Sequence, residues 1–460
     1  MPTDCNTGSI HFTPLSRQQV VADFAGGAIT SDAGAILLRE SDRRLRMFDR
    51  IDGIIPDPRH PELITHTQRT LIAQRIIAIA CGWEDLNDHD RLRVDPLMQI
   101  VTERGVDDEQ PLASTPTLCR LENRVSHKTC VELSKLLVEL FIESFDSPPE
   151  ELTLDCDATD DPVHGQQEGR FFHGFHGGYC FLPLYVFCGT KLLVAYLRPS
   201  NIDASRHSRA ILKLLVTRLR EVWPEVKITI RADSGFCRWK LMRWCDRHHV
   251  DYILGLAKNS RLLQMSQGLM AQAEEAFNQT HEKQRLFSEL SYAAGTWEKE
   301  RRVIVKAEHT EKGSNPRFIV TSLKALASSR EALASSREGD PQPLYDDLYC
   351  ARGEMENRIK EQQLGLFADR TSCHDFVANQ FRLLLSSFAY VLIEHLRRVG
   401  LKDTPLANAQ VSTIRTKLLK IGALVKTSVR RLVLHLSAGF PLADLFRQIV
   451  TRLTLPVASG

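Results

Sequence analysis

The sequence predicts an α/β protein: a mixed sheet with a β-rich insertion, flanked by helical segments at both ends of the chain. Residues 1–145 carry apolar side chains at helical spacing. From residue 152 the pattern changes to short alternating strands separated by amphipathic helices, which is typical of a mixed α/β sheet. After residue 372 the chain again predicts helices, and it is basic, with twelve Lys and Arg against four Asp and Glu.

Size and composition narrow the class of protein. At about 100–200 residues per domain, the 460 residues predict two to four domains. The longest apolar stretch, 383–393, has eleven residues, whereas a membrane span needs about 20. We therefore expect a buried helix, no membrane partner and, without a signal peptide, a cytoplasmic protein. The eleven cysteines form no CxxC pair and predict reduced thiols.

Five segments follow from these changes of pattern. The α/β domain is predicted to be interrupted by the insertion and completed by a helix that comes after it. The segments are a helical domain (1–145), the first part of the α/β domain (146–259), the β-rich insertion (260–344), the completing helix (345–372) and a basic helical C-terminal domain (373–460).

The N-terminal segment contains a candidate DNA-contacting helix. Helices are predicted over 65–83 and 128–145, with a shorter one over 114–128 between them. On the short helix the apolar residues form one narrow stripe, and a basic and polar stripe lies opposite. Such a face could enter a DNA groove, although a solvated surface helix gives the same pattern. The polar stripe consists of Arg120, Asn123, Arg124 and His127.

The α/β segment begins with "LTLDCD", in which apolar and acidic side chains alternate. Further strands are predicted over 179–187, 190–197, 227–233 and 251–257, with helices over 205–223 and 236–249. The insertion then predicts antiparallel strands around turns such as "EKGSNP". Its last part, 324–340, is an almost perfect Ser-rich repeat that predicts a loop or a frayed helix without a function.

Carboxylates end three separate elements. Asp157 closes the first strand, Asp233 ends a later one in "RADSGF", and Glu356 lies on a helix predicted over 344–366. Three such carboxylates can bind two Mg²⁺ or Mn²⁺ ions about 3.5–4 Å apart, and hard oxygen ligands favour these ions over zinc. The sequence therefore predicts a two-metal phosphoryl-transfer site.

The helix that carries Glu356 has a polar stripe. The stripe could aim a phenol, a cation and a carboxylate into one cleft, but similar pairs are common on exposed helices. Its members are Tyr349, Arg352, Glu356, Lys360 and Gln363.

Three stretches, "DCDATDD", "IRADSGF" and "YCARGEMENRIKE", resemble those of the DDE-class transposases of bacterial insertion sequences. The chain is most similar to the branch with a Tyr-x2-Arg-x3-Glu-x6-Lys signature and a β-rich insertion. "NDHDRLRVDP", "ASTPTLCRLEN" and "ANQFRLLLSSFAYVL" extend the resemblance over nearly the whole chain. It implies a ribonuclease-H-like catalytic domain.

The resemblance also implies residue roles. Asp157, Asp233 and Glu356 would be the metal-binding triad, and Tyr349 and Arg352 would position DNA phosphates. Asp157 is preferred to Asp155, because the family's Asp precedes a small residue and Thr, as in "DAT". The signature's Lys falls at Gln363, so Lys360, one turn earlier, could supply the charge.

Further DNA contacts are expected outside the triad. In related enzymes the insertion can carry a Trp that stacks on a flipped base, and Trp297 is the candidate here; a core or interface Trp is the alternative. The basic C-terminal segment, with Arg415, Lys417 and Lys420, would contact phosphates.

The leading functional hypothesis is a bacterial cut-and-paste transposase. It would bind the inverted-repeat ends of its element as a homodimer, cleave them, and join the 3′-OH to target DNA. Two alternatives stay open: a metal-dependent nuclease that cuts without joining, and a catalytically decayed DNA-binding derivative of a transposase.

Overall fold

The computed structural model describes residues 9–104, 110–324 and 340–455. The chain divides into two compact units, one formed by residues 1–124 together with 388–460, the other by residues 125–387. The two ends of the chain thus belong to one unit, whereas the sequence was divided into separate terminal domains. The Ser-rich repeat predicted within 324–340 lies almost wholly outside the described residues.

A nine-stranded mixed sheet forms the centre of the unit 125–387. Its spatial order is β6-β7-β9-β5-β4-β1-β2-β3, and β8 pairs with β7. The strands are β1 (Glu151–Ala158), β2 (Leu184–Cys188), β3 (Lys191–Tyr196), β4 (Lys227–Ala232), β5 (Asp251–Leu256), β6 (Gln284–Tyr292), β7 (Arg301–Thr310), β8 (Gly313–Ser314) and β9 (Arg317–Thr321).

Strand direction confirms the predicted ribonuclease-H-like sheet. The strands β3, β2 and β1 are antiparallel neighbours, and β1, β4 and β5 run parallel. The helices of this unit include His127–Ile142, Ser208–Val222 and Trp239–Arg247, whose apolar faces join the sheet in one buried core. Parallel strands need such crossover helices, because a tight turn cannot join them.

The insertion extends the central sheet. Strand β9 pairs antiparallel with β5, with Leu254 opposite Val320, so β6, β7 and β9 continue the sheet beyond its ribonuclease-H-like part. The insertion begins with two helices, Ser260–Met265 and Gln267–Thr280, in a part of the chain for which no element was predicted. Its many strong helix formers, as in "LMAQAEEAFNQ", explain these helices.

A small three-stranded sheet lies between β1 and β2 in the chain. It consists of Asp161–Pro162, Phe171–His173 and Gly178–Phe181, and we call it the small sheet. The single strand predicted over 179–187 is therefore wrong. Pro183 has no backbone N–H to donate to a ladder, and the chain passes there from the small sheet into β2.

The helix predicted over 344–366 is present but irregular. Residues 341–365 form one helical segment, which we call the site helix. Two of its stretches are wider π-helical turns, which occur frequently at functional sites. Its parts are Pro341–Pro343 (α), Leu344–Tyr349 (π), Cys350–Arg352 (3₁₀), Gly353–Lys360 (α) and Glu361–Gly365 (π).

The other unit is mostly helical but also contains strands. Strands Ile10–Leu15 and Gln18–Ala22 form a hairpin, and Ala423–Ser428 pairs with both Arg431–Leu436 and Ile29–Thr30. The helical terminal segments therefore also contain strands that were not predicted; "ALVKTS" and "RLVLHL" alternate in a way that suits strands. The longer helices are Ile36–Leu45, Met47–Ile54, Gln68–Cys81, Pro96–Val101, Thr115–Asn123 and Ala443–Thr454.

The apolar stretch at 383–393 lies in the helix Phe376–His395. Among the described residues, only the helical stretch Phe376–Gly400 is long and apolar enough to cross a membrane, and 78% of its most apolar window is buried inside the protein. This burial is what a core helix shows.

Candidate active site

Two neighbouring strands bring the first two acidic residues together. The parallel register of β1 and β4 sets Cys156 opposite Ala232, so the next residues, Asp157 and Asp233, lie side by side at the strand ends. Local backbone contacts orient both side chains. The Ala158 N–H donates to Asp157 Oδ1 at 2.9 Å, and the Gly235 N–H donates to Asp233 Oδ1 at 2.8 Å.

Arg352 joins the third carboxylate to this pair. Its guanidinium Nη1 donates to Asp157 Oδ2 at 2.9 Å, and Nη2 donates to Glu356 Oε1 at 2.7 Å. Because Arg352 and Glu356 are one helical turn apart on the site helix, the helix presents a cation and a carboxylate together to the strand ends. The structure thus brings Asp157, Asp233 and Glu356 into one cluster around one guanidinium.

The cluster carries more negative than positive charge. The pKa of Asp157 is raised to about 6, first by burial and then by Asp233 and Glu356, although Arg352 opposes the increase. Burial alone would lower the pKa of Arg352, but the surrounding carboxylates raise it above its ordinary value. Three carboxylates that share one arginine form a site that favours additional cations.

The donor chemistry of the cluster fits Mg²⁺ or Mn²⁺, which prefer carboxylate oxygens. In the conformation described, however, Arg352 stands between two of the three carboxylates. Accordingly, the described residues contain no group of three or more His, Cys, Asp or Glu side chains arranged to hold a metal ion.

The side chain of Tyr349, on the site helix, lies near Asp233 and Arg352. Its hydroxyl occupies the space left by the absent side chain of Gly255 on β5, which we call the gap. A Cβ atom added at Gly255 would lie 2.7 Å from the Tyr349 hydroxyl and 2.7 Å from the Ser234 nitrogen. Burial raises the pKa of Tyr349, and Arg352 and Asp233 are among the charged groups that act on it. Gly255 was not predicted to have a role, although a glycine inside the strand pattern "DYILGLA" is a signal of a close approach.

Asp155 has a different position from Asp157. It is buried opposite Arg231, whose Nε and Nη2 donate to its two carboxylate oxygens at 2.5 and 2.8 Å. Arg231 Nη1 also donates to the Leu348 carbonyl, one residue before Tyr349. Both Asp155 oxygens are thus used inside the fold, and the pair fastens the site helix to the sheet. Arg231 was not among the predicted site residues.

Comparison with known proteins identifies the family. The family model described as "Transposase DDE domain group 1" matches residues 12–457. The chain belongs to the DDE transposase family. No curated protein matches it. A solved structure titled "Cryo-EM structure of piggyBac transposase synaptic complex with hairpin DNA" aligns at 11% identity and a TM-score of 0.41, with 94% of this chain and 87% of that chain covered.

The position of the signature's Lys is occupied differently in this DDE transposase. Gln363 Nε2 donates to the Asp160 carbonyl at 2.9 Å and to Asp161 Oδ1 at 2.8 Å. The side chain therefore ties the site helix to the start of the small sheet. Lys360, one turn earlier, is exposed.

The predicted DNA-binding residues of the N-terminal segment differ in solvent exposure and in whether they have a partner within the protein. Arg120 and Asn123 are exposed on the helix Thr115–Asn123. Arg124 follows that helix and pairs with Asp57 at 3.3 Å. Arg120 and Asn123 are therefore on the open surface of the transposase, whereas Arg124 is engaged within the fold.

Of the DNA contacts predicted in the insertion and the C-terminal segment, one is exposed and the others have partners within the fold. Lys417 is exposed, but Arg415 donates to the Ala80 carbonyl at 3.0 Å, and Lys420 pairs with buried Asp32 at 2.6 Å. Trp297 is half-buried, packing edge-on against a core tyrosine with ring centroids 5.5 Å apart. The cationic groups of Arg415 and Lys420 thus already have partners within the fold.

Proposed function

We propose that this chain is a cut-and-paste transposase of a bacterial insertion sequence, acting in the cytoplasm as a homodimer. It would bind the terminal inverted repeats, cleave the DNA ends and join the freed 3′-OH to target DNA. One observation carries the proposal: Asp157, Asp233 and Glu356, from two strands and one helix, meet around Arg352 in a chain of the DDE transposase family.

In this proposal the three carboxylates hold two Mg²⁺ or Mn²⁺ ions. When bound, such ions activate the attacking oxygen and stabilise the leaving oxygen in an in-line displacement at phosphorus. The chain's own contribution is positional. A DNA phosphate would draw the guanidinium of Arg352 away from Asp157 and Glu356, because a phosphate accepts the same paired N–H donors as a carboxylate.

Tyr349 and Lys360 would complete the contacts to the scissile strand. The Tyr349 hydroxyl lies next to the Asp233–Ser234 peptide and can donate a hydrogen bond to a phosphate there. Lys360 lies one turn beyond Glu356 and is exposed, so its ammonium group can reach the phosphate backbone of the DNA. Farther away, Arg120, Asn123 and Lys417 remain our candidate DNA contacts. Arg124, Arg415, Lys420 and Trp297 are less suitable, because each is engaged within the fold.

The test uses the full chain and a duplex that carries the candidate element ends. With Mg²⁺ we expect breaks at the element ends and, after target plasmid is added, covalently joined products; with EDTA neither should form. If the DNA is broken but not joined, the result favours a metal-dependent nuclease. If the DNA is bound but not broken, the result favours a catalytically decayed transposase.

A further inference from the structure

The small sheet exposes an aromatic face that the proposed chemistry does not use. Phe172 and Tyr179 are paired across neighbouring strands, with ring centroids 5.7 Å apart. The guanidinium of Arg170 lies over the Tyr179 ring at 4.4 Å. Phe172 is 59% exposed and Tyr179 50% exposed. Two aromatic rings and a cation thus form one solvent-facing surface, which we call the aromatic face.

The turn at the end of the small sheet adds further planar groups. Phe175 is 89% exposed and packs edge-on against His176 at 5.0 Å. The His176 ring in turn lies 4.8 Å from that of His173. Exposed apolar groups concentrated in one place mark binding sites more often than singly scattered ones do.

Two connections hold the small sheet beside the proposed catalytic cluster. Asp160 follows Asp157 by three residues, and its carboxylate lies 3.2 Å from His176 Nδ1. From the opposite side, Gln363 of the site helix donates to the Asp160 carbonyl and to Asp161 Oδ1. The sheet is therefore fastened both to the strand of Asp157 and to the helix of Glu356.

We propose that the aromatic face binds an unpaired nucleotide of the DNA end. Because the Phe172 and Tyr179 rings are nearly perpendicular, at 78°, a base that stacks on one ring packs edge-on against the other. Every base has a π-face that stacks on aromatic rings, and an arginine adds cation–π attraction and a phosphate contact. This inference rests on the proposed function, which places a DNA end at the neighbouring carboxylates. Trp297 offers less ring surface for stacking, because its ring already packs against the core.

The test measures stacking directly on a DNA end that cannot be cut. Glu356→Gln protein is mixed, without metal, with an end duplex that carries 2-aminopurine in a short single-stranded overhang. We expect the fluorescence to be quenched on binding. In the Phe172→Ala, Tyr179→Ala double variant the quenching should be lost. Affinity for the overhang duplex should fall at least about tenfold, while affinity for a blunt duplex stays the same.

Two controls separate stacking from a general loss of structure. Phe24→Ala removes a ring that is 94% exposed in the other unit and should change neither signal. The conservative pair Phe172→Tyr, Tyr179→Phe keeps both rings and should retain the quenching.

The possible failures can be told apart. Unchanged quenching and overhang affinity in the double alanine variant would overturn the inference, and so would an equal loss of blunt-duplex binding. If the protein binds and cuts element ends but does not quench the overhang fluorescence, the stacking inference is wrong and the proposed function stands. A protein that binds no end DNA would remove the proposed function as well.

Discussion

The same two neighbouring strands carry two charge pairs with opposite properties. Asp155 on β1 faces Arg231 on β4, and two residues farther along, Asp157 lies beside Asp233. The first pair is buried and neutralises itself. The second pair is two like charges, neutralised only in part by Arg352 from another element. Over about 7 Å of strand the sheet passes from a fixed ion pair to two like charges that one arginine neutralises only in part.

This difference has an energetic meaning. Leaving one charge of a buried pair without its partner costs about 3–5 kcal/mol, so the Asp155–Arg231 pair resists change. At Asp157 and Asp233 the like charges repel each other, and losing one of them relieves strain. The first pair is costly to break, whereas the second is an unfavourable arrangement that a bound cation would relieve.

The largest expected effect is on catalysis at the like-charged pair. In Asp157→Asn and Glu356→Gln, cleavage of element ends should fall at least about 10³-fold, because a metal ligand and its charge are lost. The melting temperature should stay level or rise, because one repelling charge is gone. Strand cleavage and differential scanning calorimetry measure the two effects.

Glu354→Gln is the matched control for Glu356→Gln. Glu354 lies on the same helix but pairs with Arg358 instead of Arg352. It should cleave as the wild type does. Full activity in Glu356→Gln, or an equal loss in Glu354→Gln, would contradict the assignment of Glu356.

The second prediction concerns the fixed pair. Arg231→Met leaves the Asp155 carboxylate buried without a partner and should destabilise the unit by about 3–5 kcal/mol. The double variant Asp155→Leu, Arg231→Met removes both charges and should recover most of this loss. Urea unfolding followed by tryptophan fluorescence reports on this unit, since four of the five tryptophans lie in it.

Two outcomes would show that the pair is not the fixed contact described. One is an Arg231→Met protein as stable as the wild type. The other is a double variant no more stable than the single one. If instead the double variant is stable but cleaves slowly, the lost bond to the Leu348 carbonyl would account for it.

A smaller effect on cleavage is expected from a change at Gly255, where Tyr349 lies close to β5. In Gly255→Ala the added methyl group would meet the Tyr349 hydroxyl and the Ser234 backbone, each at 2.7 Å. Tyr349 and the Asp233–Ser234 backbone must then move, and a displacement near 1 Å should slow cleavage roughly 100-fold or less. Rates on the element-end duplex, at saturating DNA, test this.

Gly268→Ala provides the matched control. An added Cβ there meets nothing within 4 Å, and the residue lies in the helix Gln267–Thr280. The exchange should leave cleavage unchanged and stabilise the protein by about 0.5–1 kcal/mol. A Gly255→Ala protein with wild-type rates would show that the gap is not needed.

The three acids were predicted partly from local signals and partly from the family resemblance, which alone favoured Asp157 over Asp155. Asp157 and Asp233 end alternating strands, and Glu356 lies on a helix with a polar stripe. The contacts that hold them could not be found in this way. Arg231 reaches a carbonyl 117 positions away, and the Gly255 gap has meaning only once the site helix has packed there. Such contacts depend on tertiary packing, which strand and helix periodicity does not encode.

The smallest expected effect concerns the two candidate positions for the signature's Lys. Lys360→Ala should weaken binding of the element end several-fold and reduce the salt dependence by about one phosphate contact. Adding Gln363→Lys should not restore binding, because residue 363 is directed to Asp160 and Asp161. Recovery in the double variant would instead place the functional cation at 363. Titrations at several salt concentrations distinguish the two, since only a cation that contacts phosphate changes the slope.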